Sequence, residues 1–124
     1  MIMQYKLLGA TGLRVSELCL GAMTFGEDWD WGANEETSRA IFEAFAQAGG
    51  NFIDTANIYT NGTSEKILGE FITSDRERFV VATKYSSFLQ MGDKAGNFNV
   101  RGNHYKNMMQ SLEGSLIVVF TEPC

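Results

Sequence analysis

Cysteine, proline and histidine are scarce in this chain of 124 residues, which has two cysteines, one proline and one histidine. Two cysteines cannot form a disulfide scaffold, and neither has metal-ligand spacing, so we expect reduced thiols and no metal site. No apolar run approaches the ~20 residues that a membrane span requires. The first residues also lack the basic region and apolar core of a signal peptide. These absences predict a cytoplasmic protein without membrane contact.

Positive charge is also in short supply. Lysine and arginine number 10 against 15 aspartates and glutamates, and the formal net charge is −5. Binding to nucleic acid requires a basic stripe that neutralises phosphates, so nucleic acid is not expected as a partner. An anionic cofactor would have to be held by local groups. The length suits one domain.

Hydrophobic periodicity predicts a β-hairpin followed by strands and helices in alternation. Asn34 is the expected N-cap of the first helix, and Thr63 or Ser64 that of the second. No periodicity is visible between residues 85 and 102. The predicted elements are a hairpin over 4–17 and strands over 18–21, 51–55 and 79–83. The first predicted helix begins at Asn34, the second begins at Thr63 or Ser64, and the third spans 103–116.

Each predicted helix carries apolar residues at helical spacing, and these are expected to face the core. The predicted inward residues are Ala40, Ile41, Ala44, Phe45 and Ala48 in the first helix, Ile67, Leu68, Phe71 and Ile72 in the second, and Met108, Met109 and Leu112 in the third.

The alternation of strands and helices predicts an α/β protein with a parallel sheet. Two closures are open, a doubly wound sheet and a (β/α)8 barrel. A doubly wound sheet that binds a dinucleotide normally has a glycine-rich turn after its first strand. The turn over 21–26 does not match that pattern, which favours the barrel. A barrel takes ~250 residues, so the chain holds about three of the eight units.

Three polar residues fall where such a sheet binds ligands, at the carboxyl ends of its strands. Asp54 ends the second predicted strand, Lys84 follows the third, and Tyr59 lies in the loop after the second. Singly, they are typical of a turn residue, a solvated lysine and a packed ring. Neighbouring strands lie ~4.8 Å apart, so we expect Asp54 and Lys84 within reach of each other, with Tyr59 folded over both.

The three side chains would form a proton donor. An ammonium beside a phenol stabilises the phenolate, and a carboxylate keeps that ammonium charged and oriented. Such a phenol can act as a general acid on a carbonyl oxygen. Hydride would have to come from a cofactor, because no protein side chain supplies one.

Several segments of the chain form a set of motifs. They are Leu7-Leu8-Gly9 with Gly12-Leu13-Arg14-Val15-Ser16, the run 20–26, Asp54-Thr55-Ala56-Asn57-Ile58-Tyr59, Ser64-Glu65-Lys66-Ile67-Leu68-Gly69, Val81-Ala82-Thr83-Lys84, and Gly102-Asn103-His104 with the run 106–113. With these motifs, residues 4–116 resemble the aldo-keto reductases. The D-T-A-x-x-Y element with its downstream lysine is a specific signal.

The resemblance implies an incomplete (β/α)8 TIM barrel whose base is closed by the amino-terminal hairpin. It implies reduction of aldehydes or ketones, with NADPH as the usual cofactor, NADH as the alternative, and a small carbonyl compound as substrate. In the implied site Tyr59 donates the proton, Lys84 activates Tyr59, and Asp54 orients Lys84.

The resemblance also implies a nicotinamide site. Its residues would be Gly21, Ala22, Met23 and Thr24, together with Asp54. Trp29 and Trp31 lie in the loop after the first parallel strand. They would form either an apolar wall for the substrate or an anchor for the loop.

Two features depart from the family pattern. The family has a catalytic histidine at the end of the fourth strand, whereas His104 lies at the start of the third predicted helix and is expected to serve that helix locally. Residues 117–124 also differ from the family, so we divide the chain into a barrel part over 1–116 and a divergent tail over 117–124. The tail suggests truncation or a shifted reading frame, and a short strand over 117–120 is the alternative.

Two functions therefore stay open at this stage. The first is an NAD(P)H-dependent carbonyl reductase. The second is a truncated and catalytically inactive remnant, or a binding fragment, because about three barrel units would leave an unpaired sheet edge and much of the core uncovered. A regulatory subunit is a third hypothesis that no residue of the chain supports specifically.

Overall fold

Short strands form two separate sheets in the computed structural model, which describes residues 3–87 and 98–120. One sheet is an antiparallel hairpin, and the other contains three parallel strands in chain order. The strands of the hairpin are β1 (Tyr5–Leu7) and β2 (Arg14–Ser16), and the parallel strands are β3 (Leu20–Gly21), β4 (Phe52–Asp54) and β5 (Val80–Ala82).

Three α-helices accompany the parallel strands. They are α1 (Glu35–Gln47), α2 (Thr63–Ile72) and α3 (Tyr105–Phe120), and 3-10 turns occupy Tyr59–Gly62 and Thr73–Arg78. The predicted α/β class, the parallel sheet and the order of the elements are confirmed. None of the helices in the described ranges is long and apolar enough to cross a membrane.

The hairpin is attached to the amino end of β4. Asn51 Oδ1 accepts a hydrogen bond from Ser16 N at 2.7 Å, and Asn51 Nδ2 donates to Arg14 O at 3.0 Å. Tyr5 OH adds a bond of 2.6 Å to Gly49 O. The hairpin therefore lies at the opposite end of the sheet from the carboxyl ends of the strands, where the predicted site residues are.

The hydrophobic core lies between one face of the parallel sheet and the helices. Side chains of a strand alternate between faces, and the row formed by Leu20, Ile53 and Val81 faces the helices. The neighbouring row, Gly21 and Asp54 with the paired Ala82, therefore points to the other face. The core contains Ala22, Phe25, Phe42, Ile53, Ile67, Leu68, Phe71, Ile72, Phe79 and Val119.

The predicted inward face of α1 is largely wrong. Ser38 and Phe42 are buried, whereas Ile41 is exposed over 41% of its surface. The Phe42 ring lies 5.4 Å from the Phe71 ring and 5.2 Å from the Phe79 ring. The core takes the stripe of Phe42, whose ring packs against those of Phe71 and Phe79. Of the predicted residues only Phe45 packs partly against the core, while Ile41 and the three alanines are exposed. The predicted N-cap is confirmed, since Asn34 Oδ1 accepts from Thr37 N at 2.9 Å.

The predicted inward face of α3 is also wrong. Met108 and Leu112 are exposed over 36% and 44% of their surfaces, and Met109 is half-buried. The buried residues are Asn107, Ser111, Ser115 and Val119, spaced four apart. Most of this face is polar. It can be buried because its hydroxyl and amide groups find hydrogen-bond partners.

The carboxyl end of α3 differs from the prediction as well. The helix runs to Phe120, so the expected end at residue 116 and the alternative strand over 117–120 are wrong. Val119 is only 5% exposed and joins the core. Residues 121–124 lie outside the described residues, and the division of the chain at residue 116 stays a prediction.

The second helix has the predicted apolar face but not the predicted cap. Ile67, Leu68, Phe71 and Ile72 are all buried. The N-cap is Gly62 in a left-handed conformation, with no side-chain hydrogen bond of its own. The role of a capping side chain is taken by Thr60, whose Oγ1 accepts a hydrogen bond from Ser64 N at 2.9 Å.

The contact between α2 and α3 yields a prediction on stability. A methyl group added at Gly69 would stand 2.9 Å from Val118 O and 3.0 Å from Val119 Cα, whereas one added at Gly114 would meet nothing within 4 Å. We expect Gly69→Ala to destabilise the chain by about 1–3 kcal/mol through overpacking. Gly114→Ala is the matched control and should stabilise by about 0.5–1 kcal/mol, because alanine favours helix.

Urea unfolding followed by far-ultraviolet circular dichroism measures both changes. Equal stabilisation by the two substitutions would show that the end of α3 does not pack against α2.

Candidate active site

The ammonium of Lys84 lies at the centre of the carboxyl ends of the parallel strands. Lys84 Nζ donates to Asp54 Oδ2 and to Thr55 O, each at 2.7 Å. It also lies over the Tyr59 ring, 4.8 Å from the ring centroid. The structure thus brings together the three residues predicted to form the acid–base centre, at a site open enough to leave 49% of the Lys84 side chain exposed.

The parallel register produces this arrangement. Gly21 pairs with Asp54, and Asp54 pairs with Ala82, so these residues form one row across the sheet. Beyond the row, the backbone continues the ladder with bonds from Thr55 N to Ala82 O (2.8 Å) and from Asn57 N to Lys84 O (3.2 Å). Lys84 therefore follows β5 at a position directly beside the end of β4.

The surroundings of Lys84 raise its pKa above the ordinary value of 10.5. Burial is the largest single effect and lowers the pKa, but interactions with Asp54 and then Tyr59 act in the opposite direction and outweigh it. Lys84 is therefore a cation at neutral pH. Because the folded pKa is raised, the stabilisation from this pairing is complete below the pKa of the unfolded chain and is lost as the pH rises through the folded pKa.

An aromatic cluster adjoins Tyr59. The Trp29 ring meets the Tyr59 ring edge-on at 6.5 Å and lies 5.5 Å from the Trp31 ring. Trp29 Nε1 donates to Asn61 Oδ1 at 3.3 Å, and Trp31 is exposed over 50% of its surface. Trp29 thus anchors its loop to the loop of Tyr59, while Trp31 offers an apolar surface to solvent beside the site.

The residues predicted to hold a nicotinamide lie along the same edge of the sheet. Gly21 has open space where a side chain would be, and Met23 and Thr24 are exposed. Ala22 is fully buried, and its backbone is engaged by Asp54 O at 2.9 Å and by the Ser64 hydroxyl at 2.6 Å. The open part of this edge is therefore formed by Gly21, Met23 and Thr24.

A buried carboxylate behind the site was not singled out from the sequence. Glu65 on α2 is only 3% exposed. It accepts a hydrogen bond of 2.6 Å from Thr83 Oγ1 and bonds of 2.9 and 3.1 Å from Ser115 Oγ. Since Thr83 precedes Lys84, Glu65 links the start of α2, the end of β5 and the middle of α3. A Ser-Glu pair at a predicted helix start resembles an ordinary surface cap, so sequence offers no sign of this burial.

The remaining candidate residues have local roles. His104 Nδ1 accepts from Asn107 N at 3.2 Å at the start of α3, as predicted. The Cys19 thiol is free and exposed, and partial burial followed by the charge of Asp54 raises its pKa, against a smaller opposite effect of Lys84. Cys124 lies outside the described residues. No group of three metal-ligating side chains occurs within residues 3–87 and 98–120.

Comparison with known proteins identifies the family of the chain. The model of the aldo/keto reductase family matches residues 17–119. A norsolorinic acid reductase of Emericella nidulans is 44% identical over 117 residues, which cover 90% of this chain and 30% of the relative. An aryl-alcohol dehydrogenase of Pestalotiopsis microspora is 38% identical over 125 residues, covering 96% of this chain and 33% of the relative.

Solved structures extend the comparison to the fold. An aldo-keto reductase from Bacillus halodurans superposes with a TM-score of 0.76 at 26% identity, covering 96% of this chain and 37% of that protein. The chain belongs to the aldo/keto reductase family, and its fold is part of the (β/α)8 barrel of that family. It spans about a third of the length of these relatives. The family acts on small carbonyl substrates and generally uses NAD(P)H.

The ion pair yields a prediction on the pKa of Lys84. In Asp54→Asn we expect this pKa to fall, because burial continues to lower it while the main group that raises it has lost its charge. Proton–carbon NMR titration of the lysine ε-methylene groups measures the change. Lys66, an exposed residue on α2, is the internal control, and its resonances at neutral pH should coincide in the two proteins. An unchanged Lys84 titration would mean that Asp54 does not hold the ammonium in solution.

Proposed function

We propose that the chain carries the acid–base centre of an NAD(P)H-dependent reductase that converts aldehydes or ketones to alcohols. The observation that supports this most is the placement of Lys84 Nζ, 2.7 Å from Asp54 Oδ2 and 4.8 Å from the centroid of the Tyr59 ring. Tyr59 donates its phenolic proton to the carbonyl oxygen of the substrate. The neighbouring ammonium stabilises the phenolate left behind, and Asp54 keeps that ammonium charged and in place.

The open edge of the sheet fits a nicotinamide ring. Gly21 leaves room for close approach, Met23 and Thr24 flank it, and Lys84 lies one strand beyond Asp54. Gly21, Met23 and Thr24 carry no charge and lie beside the proton donor, which suits a neutral dihydronicotinamide. We assign this surface to NADPH, with NADH as the alternative. The bound cofactor supplies the hydride that no side chain can provide.

The aromatic cluster suggests where the substrate lies. Trp31 exposes half of its surface and contacts Trp29, which in turn contacts Tyr59, so an apolar substrate can stack there with its carbonyl group toward the phenol. One relative is named an aryl-alcohol dehydrogenase, which agrees with an apolar or aromatic carbonyl compound.

A second candidate is a non-catalytic binding fragment. It is favoured by the share of the relatives that the chain spans, 30% of the Emericella nidulans protein. In barrels the phosphate-binding loops commonly follow the seventh and eighth strands, whereas the described residues contain three parallel strands.

A titration separates the two candidates. We expect the purified 124-residue chain to bind NADPH weakly, with a dissociation constant of roughly 1 mM, equivalent to about −4 kcal/mol. Cofactor fluorescence measures binding, and absorbance in the presence of an aromatic aldehyde measures turnover. Tight and saturable binding with turnover would rule out the fragment. Weak binding without turnover would mean that any activity needs more than these 124 residues.

The role of Tyr59 is tested in a complete barrel. We suggest a chimera in which residues 17–119 replace the matching segment of the Bacillus halodurans reductase. There Tyr59→Phe should lower kcat by about 100-fold or more, because it removes the general acid. Tyr105→Phe makes the same chemical change at a ring that is 74% exposed and should leave kcat unchanged. Full activity of the Tyr59→Phe chimera would show that another group donates the proton.

A further inference from the structure

The backbone directly after Tyr59 has an unusual conformation. Thr60, Asn61 and Gly62 all lie in the left-handed region, with φ of 46°, 57° and 96°. Glycine adopts such angles at no steric cost and asparagine at a small one, but a β-branched residue there is a genuine outlier. Such conformations persist only where the surrounding structure imposes them, and they concentrate at functional sites.

Thr60 is held in this conformation by two hydrogen bonds of its hydroxyl group. Thr60 Oγ1 donates to Phe25 O at 2.7 Å and accepts from Ser64 N at 2.9 Å. The side chain has no solvent exposure. Its hydroxyl thus connects the loop after β3 to the first turn of α2, with the turn that carries Tyr59 in between.

The neighbourhood of Thr60 is closed on the side of the β3 loop. A methyl group at Gly26 would stand 2.9 Å from Thr60 Oγ1, so this loop lies directly against the threonine. Asn61, the next residue, accepts the indole hydrogen bond of Trp29 at 3.3 Å. Both contacts connect the β3 loop, which carries the tryptophans, to the turn after Tyr59.

We infer that Thr60 is a positioning residue for Tyr59: its buried hydroxyl holds the left-handed turn that sets the Tyr59 ring against Lys84. If residue 60 adopted right-handed backbone angles, the path of the chain between Tyr59 and α2 would change. The Tyr59 ring would then move away from the Lys84 ammonium. Valine has the shape of threonine but no hydroxyl, whereas serine keeps the hydroxyl without the methyl group. The inference rests on the proposed function for its consequence in catalysis but not for the ring position.

The ring position has a spectroscopic signature that requires neither cofactor nor turnover. Because Lys84 Nζ lies over the Tyr59 ring, we expect the ring current to shift the Lys84 ε-methylene protons upfield. Tyr59→Leu defines the resonance without the ring. In the 124-residue chain we expect Thr60→Val to move the Lys84 resonance to the Tyr59→Leu position, and Thr60→Ser to keep it near the wild-type position.

Two further variants complete the experiment. Thr73→Val removes a comparable hydroxyl, which donates to Gly69 O at 2.7 Å at the other end of α2, and should leave the Lys84 resonance unchanged. If Thr60→Val does not fold, Thr60→Ala replaces it, since alanine lacks the hydroxyl and, having a β-carbon, disfavours the left-handed angles. Loss of the upfield shift in either position-60 variant that folds supports the inference.

An unchanged Lys84 resonance in a folded Thr60→Val or Thr60→Ala chain would overturn the inference. Failure of the proposed function looks different. A fully active Tyr59→Phe chimera would remove Tyr59 from the reaction while leaving the ring-current result as it was.

Discussion

One charged group organises the carboxyl end of the parallel sheet. The Lys84 ammonium is bound by the Asp54 carboxylate and by the Thr55 carbonyl, which belong to the strand next to its own. Two acceptors at 2.7 Å determine the direction of the lysine side chain, and the carboxylate raises its pKa. Tyr59 can lie against this cation only because its loop folds back over the strand ends. This ammonium has the proton donor Tyr59 beside it. The open edge at Gly21 and the aromatic cluster lie around the same strand ends.

A layer of buried polar groups supports that arrangement from behind. Burial of hydroxyls and carboxylates is costly unless each finds a partner, and here they bond to one another. Glu65 binds Thr83 and Ser115, while the Ser64 hydroxyl reaches Ala22 O. These bonds join α2 to the residues next to Lys84 on one side and next to Gly21 on the other. The helices therefore hold the strand ends through directional contacts as well as through apolar packing.

The elements of the fold were predictable from local patterns, and the helix faces were only partly so. Asn34 as an N-cap and the inward face of α2 follow from short-range spacing and were predicted. The face of α1 was not, because two apolar stripes compete and the position of the Phe71 ring decides between them. The buried face of α3 was not predicted, because serine and asparagine are typical of a helix surface. Their burial depends on distant partners such as Glu65, which the local sequence does not reveal.

For the candidate site, the sequence by itself determined which residues end the strands and which family motif they form. Asp54 and Lys84 had to be neighbours once the strands were parallel and adjacent, since strand spacing is nearly constant. Only the tertiary structure decided how Tyr59 reaches them, that Thr60 takes a left-handed conformation, and that Glu65 is buried beneath Thr83. These features depend on contacts between segments 18 to 50 positions apart. Local periodicity cannot report such contacts, because it records only how a residue relates to its own helix or strand.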